Sequence, residues 1–128
     1  DYQGFKICPM ICYDLRFPVF ARNVEDYDIL IYVANWPKPR INAWDILLKA
    51  RAVENMSYVI GVNRVGADAT NLEYTGHSQV VDFLGNYMIE AQTNESVFIT
   101  EFNKEKLLEI RKKLNFLNDR DAFEIRNF

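Results

Sequence analysis

Apolar residues along the chain fall into short runs separated by polar, turn-prone segments, and the runs alternate between strand-like and helix-like spacing. Residues 5–12 are mostly apolar and read as a strand with Pro9 in its middle. Proline cannot donate to a ladder, so a bulge or an edge position is expected there. Residues 18–24 read as a short helix, with Pro18 tolerated in its first turn. Residues 29–34 (Ile-Leu-Ile-Tyr-Val-Ala) form a continuous apolar run of the kind found in strands buried on both faces. Residues 35–40, stiffened by Pro37 and Pro39, form a rigid loop.

The clearest helical spacing covers residues 42–55. Asn42 is its expected cap, and Asp45 favours its positive end. Trp44, Leu47, Leu48 and Arg51 fall on one face, as do Leu48, Ala52 and Asn55. Residues 57–65 are β-branched and read as a strand, and the polar stretch 66–75 as a loop. Residues 78–83 and 87–91 read as strands joined by a turn at Leu84-Gly85-Asn86. Alternation at residues 96–102 predicts one more strand. Asn103 then caps a helix to about Leu114, with Leu107, Ile110 and Leu114 as its stripe. Residues 115–128 read as an extended C-terminal tail anchored by Phe116, Leu117, Phe123 and Phe128. Strands and helices in this order define an α/β fold.

Composition narrows the class. The 128 residues suit one domain or part of one, and 49% hydrophobic and 14% aromatic residues supply a core. A net charge of −3 makes no electrostatic case for nucleic acid or an anionic membrane. No apolar run approaches the ~20 residues of a membrane span. Cys8 and Cys12 on one strand would lie about 13 Å apart, beyond the roughly 7 Å a disulfide allows. Two free thiols suit a reducing compartment, which predicts the cytoplasm. The single His77 with two unpaired cysteines makes no metal pattern. The chain begins at Asp1 and runs almost directly into a strand, so either a leader was removed or the chain is a piece of something longer.

Candidate chemistry concentrates at Ile11-Cys12-Tyr13-Asp14. An apolar run ends on Cys12, and a polar turn follows at once, which is how a strand delivers a nucleophile to a sharp turn. Backbone N–H groups of such a turn favour the thiolate, the reactive form. The competing reading is a small buried hydrophobe, which fits a cysteine in any apolar run. Cys8, in the strand interior, reads as packing.

Six segments in order carry a resemblance. They are Ile11-Cys12-Tyr13-Asp14-Leu15-Arg16-Phe17-Pro18, Ala34-Asn35-Trp36-Pro37, Ala50-Arg51-Ala52-Val53-Glu54-Asn55, Asn63-Arg64-Val65-Gly66, Tyr74-Thr75-Gly76-His77-Ser78 and Asp82-Phe83-Leu84-Gly85. Across residues 4–102 the chain resembles the nitrilase superfamily of carbon–nitrogen hydrolases. With Asn35-Trp36-Pro37 and the tail Leu117-Asn118-Asp119-Arg120-Asp121 it is most similar to the omega-amidase branch, which hydrolyses omega-amides of 2-oxo dicarboxylic acids. The resemblance implies part of a four-layer α-β-β-α sandwich that pairs into a homodimer or higher oligomer. It also implies amide hydrolysis through a thioester, without metal or cofactor, by a glutamate, a lysine and a cysteine. Cys12 matches the nucleophile, and the Tyr13 backbone N–H matches one oxyanion donor.

The glutamate and lysine of that family precede the cysteine, whereas here only Lys6, and no glutamate, does so. Glu54 and Lys49 do not match those motifs. The chain therefore reads as the C-terminal portion of such a hydrolase, inactive without those partners. Asp14 and Arg16 are expected as a mutual or helix-terminal ion pair or, alternatively, in a role at the dimer contact, and Arg51 with Glu54 as a pair orienting the long helix. Trp36 is a pocket wall or a loop anchor. Arg40 is a surface charge or a clamp for a substrate carboxylate. His77 reads as structural or exposed, and Asn63 and Arg64 as ordering the rim. The rivals are an N-carbamoyl-amine hydrolase or other aliphatic amidase and, from another class, a non-catalytic assembly domain.

Overall fold

The computed structural model describes residues 1–126, so the Phe128 anchor expected in the tail lies outside the described residues. Strand β1 (Ile7–Ile11) lies beside β2 (Ile29–Ala34), and β2 beside β3 (Tyr58–Asn63), all parallel. Strand β6 (Ser78–Val81) joins β3 antiparallel, and β7 (Tyr87–Gln92) joins β6 with register shifts, giving the order β1-β2-β3-β6-β7. Between β3 and β6 in sequence, β4 (Val65–Ala67) and β5 (Glu73–Thr75) form a separate hairpin. Helix α1 (Ile41–Asn55) connects β2 to β3, and α2 (Lys104–Leu114) follows β7. Pro9 sits in the edge strand of the sheet, where its missing N–H leaves no gap in the ladder.

Alternate residues of the central strands serve two cores, which is why their sequences are apolar throughout. Leu30, Tyr32 and Val59 pack under α1 through Trp44, Leu48 and Ala52. Ile29 and Tyr58 face the other way, against Phe83 and Leu107 of α2, with Ile31, Ile60 and Phe102 at the margin. Gly61 lets α1 pack close against the sheet, since a Cβ there would run into Leu48 Cδ1. On the second face the row Ile11, Val33 and Val62, in register across three strands, remains exposed beyond α2. The buried Asp28 carboxylate ties α2 to the start of β2, bonding Lys104 at 2.9 Å and Arg111 at 3.4 Å.

Several elements differ from their expected form. Residues 18–24 make turns instead of a helix. Asn23 takes the local backbone for itself, accepting the Tyr27 N–H and donating to the Tyr27 and Asn55 carbonyls. The helical turn comes earlier, as a 3-10 helix at Cys12–Arg16. Helix α1 starts from the 3-10 turn Lys38–Arg40, so Asn42 falls inside it and caps nothing, and Asp45 lies beyond the first turn. Residues 66–75, expected as a loop, supply β5 and most of β4, and Val65, expected to end the preceding strand, begins β4 instead. Residues 96–102 alternate without a ladder partner, and Val97 and Ile99 project into solvent at 91% exposure. The Asn103 cap forms as expected, its Oδ1 accepting the Lys106 N–H at 2.8 Å. In the tail Leu117 is buried while Phe116 and Phe123 are exposed.

Candidate active site

The parallel strands bring their C-terminal ends to one edge of the sheet, and a cleft of about 410 Å³ opens there, lined by Cys12, Tyr13, Arg16, Asn35, Trp36, Pro37 and Arg40. Cys12 stands at the step from β1 into the 3-10 helix with φ +42, in the left-handed region that side chains other than glycine rarely occupy. The step turns a half-buried thiol out of the strand and toward the cleft. Asp14 secures it, its carboxylate accepting the Ile11 N–H at 2.9 Å. Arg16 bonds no carboxylate among the described residues; its guanidinium lies 5.0 Å from the centre of the Trp36 ring. The expected Asp14–Arg16 pair is therefore replaced by a backbone cap and a cation–π stack.

Trp36 is buried and fixed at every polar point. Its indole N–H donates to the Arg40 carbonyl at 2.7 Å, and its ring lies 5.6 Å from Trp44. The backbone is gripped by Asn63, whose Oδ1 accepts the Trp36 N–H at 2.7 Å while Nδ2 donates to the Trp36 carbonyl at 2.9 Å. Trp36 is thus both loop anchor and cleft wall. Arg40 is exposed at the mouth, so the cleft carries two guanidiniums and, among its lining residues, no carboxylate and no lysine.

The remaining candidates support the cleft from behind or stand away from it. Arg51 is 3% exposed and donates to the Leu15 carbonyl at 2.6 Å and to Glu54 at 2.8 Å, which joins α1 to the turn that follows Cys12. His77 Nδ1 lies 2.8 Å from Asp45, and its carbonyl accepts the Trp44 indole N–H, a structural placement outside the cleft. Arg64 stacks on Tyr74 of the hairpin. Lys6 reaches the Glu25 carbonyl and Lys49 lies over Tyr87, so neither faces the thiol. Cys8 is free like Cys12, and burial pushes its thiol pKa up. A larger cavity of about 750 Å³ under residues 94–100 has a mostly apolar lining that includes neither cysteine. Two features had no readable signal in sequence: the Arg16–Trp36 stack, because the partners lie on different loops, and the double grip of Asn63.

The sheet, its covering helices and the order of its connections place the chain in the nitrilase class of α/β folds. It belongs to the carbon–nitrogen hydrolase family, whose description matches residues 1–112. The chain is 44% identical over 126 residues to the omega-amidase YafV of Escherichia coli K12, covering 98% of this chain and 49% of that protein. It is 33% identical over 121 residues to the 2-oxoglutaramate amidase of Bacillus subtilis 168, covering 93% of this chain and 46% of that protein. A CN-hydrolase superfamily protein of Xanthomonas campestris, solved with an arsenic adduct in its active site, superposes with a TM-score of 0.95 at 44% identity, covering 98% of this chain and 51% of that one. The chain spans about half the length of the curated relatives it matches. Among the described residues no helix is long and apolar enough to cross a membrane.

Proposed function

We propose that the chain carries the nucleophile side of an amide-hydrolysing site, with Cys12 as nucleophile and a small omega-amide of a 2-oxo acid as substrate. The observation that carries this reading is the left-handed step at Cys12, which aims a thiol into a cleft walled by Trp36 and flanked by Arg16 and Arg40. The thiolate adds to the amide carbonyl carbon, and the Tyr13 backbone N–H donates to the oxyanion. The C–N bond breaks as the nitrogen takes a proton and leaves as ammonia, giving a thioester. Water then adds to that carbonyl, the C–S bond breaks, and the carboxylic acid and free thiol are released. A guanidinium is the apt partner for the far carboxylate of such a substrate, and Arg40 at the mouth fills that role.

The proton transfers need a general base and the oxyanion a second donor, and the cleft lining holds neither a carboxylate nor a lysine. These 128 residues by themselves are therefore expected to turn over at least about 10³-fold more slowly than a protein supplying both groups, because such groups act as a unit. The test is ammonia release from 2-oxoglutaramate beside N-carbamoyl amines, by the chain and by Cys12→Ala, with and without a polypeptide that supplies the missing groups. Preference for the omega-amide that vanishes in Cys12→Ala supports the reading. Preference for the N-carbamoyl compounds overturns the substrate, full turnover by the 128 residues overturns the division of the site, and activity surviving in Cys12→Ala overturns the nucleophile. The proposal extends to a reducing, cytoplasmic setting suited to two free thiols. It includes self-association through apolar side chains such as Phe17, Val19 and Phe20, which stand exposed beside the cleft segment.

A further inference from the structure

Asn63 uses its side chain in an unusual way for the last residue of a strand. It is 6% exposed, and its amide makes three hydrogen bonds, all to backbone of other segments. Two go to the N–H and carbonyl of Trp36, and the third runs from Nδ2 to the Gly76 carbonyl at 2.7 Å. The side chain therefore stands in for a peptide group and continues the β2–β3 ladder one step beyond the Ala34–Asn63 pair, into the cleft loop. Asn63's own backbone is fixed by Ser78, whose hydroxyl accepts its N–H at 3.0 Å and donates to its carbonyl at 3.1 Å. Gly76 is held so close that a Cβ there would lie 2.8 Å from Val65 Cγ1 and 2.9 Å from the Gln92 carbonyl oxygen. The far end of the clamp is therefore closely packed between Val65 and the Gln92 carbonyl.

We infer that Asn63 is a positioning residue: it sets the place of the Trp36 wall, and with it the Arg16 guanidinium stacked on that ring, relative to Cys12. The assignment rests on the reading of the cleft as the amide site. Only an asparagine or glutamine side chain offers one acceptor and two donors in a plane, and only asparagine is short enough for this span from the strand end. Without the clamp, the indole bond to Arg40 and the contact with Trp44 still hold the ring, so the loop shifts and does not unfold. A shift of about 1 Å in a substrate-facing wall is enough to change selectivity severalfold.

The test uses the chain itself and needs no turnover. Cys12 is alkylated in a Cys8→Ser background with iodoacetamide and with iodoacetate, and the ratio of rates is normalised to that of a blocked free cysteine. In the parent chain the cleft arginines raise the normalised iodoacetate preference severalfold. Asn63→Ala is expected to lower that preference about 3-fold or more. Ile110→Ala, which loosens the core on the other face of the sheet without touching Trp36 or Asn63, is expected to leave the preference unchanged even where its loss of Tm is as large. Should Asn63→Ala not fold, Asn63→Ser, which keeps one polar group toward the Trp36 N–H, is measured in its place. A parent chain without the preference overturns the reading of the cleft. A parental preference that survives in the Asn63 variant, or falls equally in Ile110→Ala, overturns the positioning role alone.

Discussion

Replacing Arg51 with alanine tests how the cysteine turn is held. The guanidinium is 3% exposed and makes two different bonds, one to the buried Leu15 carbonyl at 2.6 Å and one to Glu54 at 2.8 Å. The first joins a charged donor to a carbonyl shielded from water, and losing it costs about 1.5–3 kcal/mol. The second faces a carboxylate whose side chain is 37% exposed, and solvent screening reduces its worth to about 0.5 kcal/mol. Arg51→Ala also removes a side chain that is 3% exposed, so the total loss is roughly 3 kcal/mol, or on the order of 10 °C in Tm for a domain of this size. Glu54→Gln isolates the weaker bond and should cost about 0.5 kcal/mol. Arg51→Lys keeps the charge without the planar fork and should fall between the two. Urea unfolding followed by tryptophan fluorescence measures all three. Equal losses for Arg51→Ala and Glu54→Gln would refute the assignment of the main contribution to Leu15, as would a loss below about 1 kcal/mol for Arg51→Ala.

Other consequences are open to direct measurement. Gly61→Ala forces a methyl against Leu48 Cδ1 and Trp44 Cζ2, at 2.4 and 2.8 Å, and should destabilise by about 2–3 kcal/mol; a neutral outcome in thermal unfolding would mean that α1 can lift from β3. At pH 8 iodoacetamide should label Cys12 well ahead of Cys8, whose thiol pKa burial raises, and peptide mapping that finds equal rates would contradict the exposed step. In the hairpin, the Thr70 hydroxyl and backbone N–H groups of Thr70 and Leu72 hold the Asp68 carboxyl down at about 2. Because the folded value is the lower one, the hairpin's support from Asp68 is complete above about pH 4 and is lost as pH falls through about 2. A carboxyl titration by NMR with a midpoint near 4 would contradict this.

Legibility of the fold in sequence followed how local each cause was. Strands β1, β2 and β3 and both helices were readable because their apolar periods are intrinsic to the segments. The turn after Cys12 was readable from the switch to polar residues, whereas the coil at residues 18–24 was not, since Asn23 bonds both to a residue four ahead and to Asn55, which is distant in sequence. Residues 96–102 carried a true alternation, but period two predicts only that a segment can lie in a sheet, and this one pairs with neither edge strand, β1 nor β7. Cys12 and Trp36, each carried by a motif segment, line one cleft, and Arg40, which no motif segment included, stands at its mouth. Arg16 was matched to the nearest opposite charge, Asp14, because sequence offers no sign of an aromatic ring twenty residues away that becomes its partner.

The location of the cleft follows from the topology. Three parallel strands point the same way, so the segments leaving them emerge at one edge: Cys12 after β1, Asn35 and Trp36 after β2, and the end of β3 at Asn63. Open parallel sheets place ligands at that edge because loops can diverge there without breaking the ladder. Register then decides which groups meet. Ile11, Val33 and Val62 are aligned, so the next residues of the three strands lie abreast, and the Asn63 amide comes within reach of the Trp36 backbone. A slip of one residue in β3 would turn Asn63 to the opposite face and bring Val62 to the α1 side, where Gly61 now lets Leu48 and Trp44 pack closely. The absence of a Cβ at Gly61 and the amide two positions later therefore specify one register together, and that register sets the wall of the cleft opposite Cys12.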